Sequence, residues 1–114
     1  MTPDEAMARC QPVLAHLWMV RTFLKHAPEV EEDTELLDVP RTLFDSIRAV
    51  EPAYERGEAA EFVRRLKGKL PKLRRAADLL EHDYKRVSDH TNFQMAAASL
   101  TGAVRQLNEI LAST

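Results

Sequence analysis

Asp, Glu, Lys and Arg are spread along the whole chain except in two windows. Neither Cys10–Val20 nor His90–Val104 contains one of them. A helix at a protein surface keeps a charged or polar face toward water. A helix without one is either enclosed by the fold or covered by another surface. The two windows lie near opposite ends of the chain, and both carry the residue types of helix. They restrict the chain to a helical fold with more apolar surface than a simple core requires.

With 114 residues the chain is expected to form a single domain, 1–114, around one core. Apolar residues make up 45% and charged residues 30%, the balance of an ordinary globular protein. A net charge of −2 gives no global attraction to nucleic acid or to a membrane. The longest apolar run, Pro12–Val20, is interrupted by His16 and is too short to span a bilayer. Cys10 has no second cysteine to pair with, and the acidic opening Met1–Ala6 differs from the basic start of a signal peptide. Both features point to the reducing cytoplasm.

Four apolar stripes in steps of four and three predict helices over about 3–26, 29–56, 58–87 and 91–112. The first stripe is Ala6, Cys10, Val13, Leu17, Val20, Leu24, with a Thr2–Glu5 capping box and Pro3 at the first helical position. The second is Leu36, Pro40, Leu43, Ile47, Val50, Tyr54, closed by Arg56-Gly57. Phe62, Leu66, Leu70, Leu73, Ala77, Leu80, Tyr84 and Val87 form the third. A register break at 88–91, rich in the N-cap residues Ser88, Asp89 and Thr91, leads to the fourth: Phe93, Ala97, Leu100, Val104, Leu107, Leu111. Short connections favour an all-α, antiparallel up-down-up-down four-helix bundle in which the first and fourth helices are neighbours. Pro12, Pro40 and Pro71 fall inside these helices, so at least one kink or break is expected. As an alternative to the continuous second helix, Pro40 could start a helix with Asp38 near its cap, leaving 29–37 as a separate acidic turn, and Gly68 with Pro71 could divide the third helix.

At about 100° per residue, Trp18 and Met19 point away from the first stripe, and Met95, Ala98, Ser99 and Gly102 point away from the fourth. Each charge-free helix thus has a core face and a second uncharged face. Trp and Met are enriched at interfaces. The expected interface therefore comprises Trp18, Met19, Met95, Ala98, Ser99 and Gly102, and the expected partner is a second copy of the chain.

The residue types that carry chemistry do not form a recognisable pattern. Glu-x-x-His pairs of di-iron bundles are absent, because Val13, Phe23, Leu79 and Val87 stand three before the four histidines. His-Glu-x-x-His, an EF-hand loop and glycine-rich phosphate loops are absent as well. No metal or cofactor is expected. His16, on the flank of the first helix, reads as a hydrogen-bonded boundary residue. The acidic run Glu29, Glu31, Glu32, Asp33, Glu35, Asp38 reads as a solvated helix start. Seven cations, Arg64, Arg65, Lys67, Lys69, Lys72, Arg74 and Arg75, could contact phosphates, but Leu66, Leu70 and Leu73 interrupt them at core spacing. Glu61 and Asp78 stand at pairing distance along the same helix, and no aromatic residues interleave for base stacking. Nucleic-acid binding through 64–75 is therefore a lesser alternative.

The segment Arg21-Thr22-Phe23-Leu24-Lys25-His26 resembles the Arg-x4–6-His motif of HEPN domains. The resemblance covers these six residues. It implies a helical, dimeric, metal-independent RNase or toxin-type domain whose site forms where two protomers meet. Arg21 would stabilise the scissile phosphate and His26 would act in acid/base catalysis. The sequence as a whole favours a self-associating protein–protein interaction module without catalysis, with the RNase as the enzyme alternative.

Overall fold

The computed structural model describes residues 1–114 and is helical throughout, with no strand. Its elements are α1 (Pro3–Lys25), α2 (Pro28–Glu31), α3 (Asp38–Glu55), α4 (Ala59–Val87) and α5 (Thr91–Ala112). The 29 residues of α4 rise about 43 Å, which matches the 41 Å long axis of the molecule.

The helix boundaries follow from local chemistry. Thr2 Oγ1 accepts from the Glu5 amide at 3.2 Å and donates to its carboxylate at 3.0 Å, which caps α1. Gly57, at φ +67°, closes α3. The Glu58 amide bonds Ala53 O at 2.9 Å and the Gly57 amide bonds Tyr54 O at 3.1 Å, the two bonds of a Schellman motif. The α5 N-cap is His90, whose Nδ1 accepts from the Asn92 amide at 3.0 Å, and not Ser88, Asp89 or Thr91. Ser88 instead accepts from the His90 amide and shapes the turn.

The expected helix over 29–56 is not continuous. It is replaced by the single turn α2, a connection at 32–37, and α3. Pro40 is the physical reason. Inside a continuous helix its ring would clash with the Leu36 carbonyl and leave that carbonyl unpaired. Starting the helix at Asp38 places Pro40 in the first turn, where no amide hydrogen is needed. Asp33 organises the connection: one carboxylate oxygen accepts from the Glu35 and Leu36 amides at 3.1 and 3.0 Å, and the other takes the Arg86 guanidinium at 2.7 Å. The arginine holds the Asp33 carboxyl down at about 2. Part of the acidic run is therefore structural. Pro12, Pro52 and Pro71 lie within α1, α3 and α4, and all three sit on exposed positions. Gly68 and Pro71 do not divide α4.

Thirty buried residues form one connected core. Helix α1 packs against α3, α4 and α5; α4 also packs against α3 and α5. The Met1 amino group donates to Ser113 O at 2.9 Å, and Phe23 meets Phe93 edge-on at 5.3 Å between ring centres. Arg74 bonds Asn108, and Thr101 donates to Glu81 at 3.4 Å, which ties α4 to α5 along their outer edge.

Candidate interaction surface

Helix α1 is the least amphipathic of the long helices. Its core residues are Ala6, Cys10, Leu14, Leu17, Val20 and Leu24. Beside that stripe, α1 and α3 leave a groove of about 550 Å³ that reaches Phe62 at the start of α4. Leu14, Val50 and Phe62 form its buried floor, and Ala15, Trp18, Met19 and Tyr54 stand around it. Met19 is 63% exposed, the highest value of any large apolar side chain in the molecule. Tyr54 is 40% exposed and leans on Phe62 with ring centres 6.2 Å apart.

One end of the groove is an aromatic and guanidinium stack. Trp18 lies 5.9 Å from Phe44, ring centre to ring centre. The Arg21 guanidinium sits 4.4 Å from the Trp18 centroid and 5.1 Å from that of Phe44. Arg48 closes over the same two rings at 5.2 and 5.3 Å and bonds Glu51 at 2.7 Å. Each cation–π contact at such a half-exposed position contributes on the order of 0.5–1 kcal/mol. Trp18 is thus half-buried within its own chain, and Met19 is the residue left standing free.

The six residues expected to form an interface do not all meet in one patch. Trp18 and Met19 line the α1–α3 groove, to which α5 contributes no residue. Met95, at 54% exposure, and Ala98 are exposed on α5, with Ser99 and Gly102 half-buried beside them. A Cβ added at Gly102 would meet no atom within 4 Å, so packing inside the chain does not require that glycine. Sequence reasoning missed Phe44, Arg48 and Ile47 as parts of this surface. The available signal was the series Phe44, Arg48, Glu51, Glu55, whose steps of four and three form a second stripe on α3 beside its core stripe.

Arg21 and His26 part company. Five residues of helix rotate them about 140° from each other. Arg21 stacks on Trp18, whereas His26 caps the end of α1 with its Nδ1 2.9 Å from Thr22 O. Of the basic run, Arg64 and Arg65 pair with Glu61 at 2.5 and 2.7 Å, and those contacts hold the Glu61 carboxyl at about 2. Lys69, Lys72 and Arg75 line a cleft of about 770 Å³ between α3 and α4 together with Asp38, Asp45 and Asp78. Three carboxylates thus share this cleft with three cations, and within the basic run only Arg64 and Arg65 form ion pairs. Cys10 is fully buried, and loss of hydration pushes its thiol up to about 11. Buried and protonated, it is not a nucleophile. No three His, Cys, Asp or Glu side chains converge as metal ligands, and no helix is long and apolar enough to cross a membrane.

With this geometry in view, comparison with known proteins adds no relative: no protein-family model, no characterised protein and no solved structure matches the chain.

Proposed function

We propose that this chain is a non-catalytic helical module that binds a second copy of itself through the α1–α3 groove. The observation that carries this reading is Met19, standing 63% exposed beside an apolar groove of about 550 Å³ that its own chain leaves unfilled. Large exposed apolar groups clustered around a concavity are a feature of interaction surfaces. In this reading α1, α3, α4 and α5 stand as an antiparallel up-down-up-down bundle. Contacts between the start of α1 and the end of α5, and between Phe23 and Phe93, support that arrangement. A buried, unpaired thiol suits the cytoplasm. The surface is narrower than the sequence implies, since it uses Trp18 and Met19 without the α5 residues.

Sedimentation equilibrium tests this. The wild-type chain is expected to be a dimer, and Met19→Glu a monomer that keeps the helical circular dichroism of the wild type. Met95→Glu on α5 and Lys72→Glu on α4 are expected to leave the dimer intact. A wild-type chain that stays monomeric at high concentration overturns the proposal. Equal loss from Met95→Glu moves the surface back to a shared α1–α5 face.

A further inference from the structure

The two ends of the apolar groove differ in charge. Arg21 and Arg48 stand over Trp18 and Phe44 at one end, and Tyr54 and Glu55 border the other. Phe44 and Glu55 are eleven residues apart on α3, which separates the ends by about 16 Å. Arg48 is neutralised by Glu51 within the chain. Arg21 and Glu55 have no ion-pair partner of their own. One free cation and one free anion thus flank an apolar centre, at opposite ends of one face. The apolar relief has the same polarity. Met19 projects near the Trp18 end, and the apolar groove continues past it as a recess toward Tyr54 and Glu55.

Resting on the self-association reading, we infer that two copies pair α1–α3 face to α1–α3 face about a two-fold axis through the middle of the groove. Arg21 of each copy then meets Glu55 of the other, and each Met19 enters the other's recess. A two-fold axis reverses the direction of the groove, so a face with opposite charges at its two ends complements itself. The same operation seats a knob near one end into a recess near the other. Helix α3 rises about 27 Å over its 18 residues and the molecule is 22 Å across, so the face offers at most about 600 Å² per copy. About 1,200 Å² in total is the lower bound for a specific pair, so the dimer dissociates on dilution. Rim charges of this kind set register and partner choice more than affinity.

Charge exchange tests the inference on the full-length chain, with circular dichroism as the check of fold. Arg21→Glu alone places two pairs of like charges across the axis, and so does Glu55→Arg alone. Each is expected to weaken self-association by about tenfold or more. Mixing the two variants in equal amounts restores both ion pairs, so the mixed dimer forms within about threefold of the wild-type affinity. The double variant Arg21→Glu/Glu55→Arg recovers its homodimer in the same way. Rescue in the mixture also shows that the single variants are folded. Wild-type dimerisation with no rescue, or single variants that dimerise normally, overturns the two-fold pairing and leaves self-association standing. A monomeric wild type removes the underlying reading itself.

Discussion

Helices α1 and α4 bury stripes of the same kind and turn opposite faces to water. Of the 29 residues of α4, 13 are charged, and the outward positions are taken by Arg64, Arg65, Lys67, Lys72 and their neighbours. Helix α1 has five charged residues among 23, none of them between Cys10 and Val20. Leu17 of α1 and Leu73 of α4 are nevertheless equally enclosed, at 0% exposure. The difference therefore lies outside the core. On α4 the outer face is explained by solvation and by pairs such as Arg64–Glu61. On α1 the outer face carries apolar surface that folding alone does not use. A core stripe reports how a helix folds; only the surplus beyond the stripe reports on binding.

The strongest test of this comparison concerns the shared property. Leu17→Ala and Leu73→Ala are each expected to destabilise the fold by about 3 kcal/mol, because each opens a cavity among enclosed neighbours. Urea denaturation measures both. A cost at Leu17 below about 1 kcal/mol would show that α1 is an accessory layer, and the contrast would then extend into the core.

A smaller effect separates the helix starts. Thr2 caps α1 through its hydroxyl, whereas Glu58 at the start of α4 makes no side-chain cap bond. Thr2→Ala is expected to lower stability by about 1 kcal/mol and Glu58→Ala by less than about 0.5 kcal/mol. Thermal unfolding of the two variants side by side checks this, and the reverse order would show that α4 draws on its first turn more than α1 does.

The smallest effect is acid sensitivity, which belongs to α4. Arg64 and Arg65 hold the Glu61 carboxyl at about 2, and Arg86 does the same for Asp33. Both values lie below the ordinary carboxylate range of about 3.9–4.3. A depressed folded pKa means that the unfolded chain takes up protons first. The stabilisation is therefore complete above about pH 4 and is lost as pH falls toward 2. Glu61→Gln should flatten part of the fall in melting temperature over that interval. A curve parallel to wild type would mean that these exposed pairs contribute nothing measurable.

The core was legible in the sequence because its period was regular. All six residues of the Phe93–Leu111 stripe are buried, as are the third-stripe residues from Phe62 to Tyr84. Where the geometry is finer, small side chains change which positions are enclosed. In α3, Ser46 and Ala53 are buried while Ile47 is half-buried and Tyr54 is exposed. A strict heptad assigns the larger residue to the core, but a close helix neighbour selects the smaller one beside it. Leu14 replaces Val13 in α1, one position round, because a true helical turn drifts from a 3.5-residue period. The groove was half legible. Trp18 and Met19 announced it through missing charge, but Phe44 and Arg48 belong to a helix whose outer face looks conventionally charged. Only their distance in space, not their spacing in sequence, joins them to Trp18.

Cys10 gives the core a chemical clock. It is the chain's one cysteine, sits at zero exposure and is held protonated by its surroundings. A thiol reagent in solution can reach it only while the first half of α1 is lifted from its neighbours. The rate of alkylation therefore counts openings, and comparing that rate at low and high protein concentration tests whether the proposed second copy holds α1 in place.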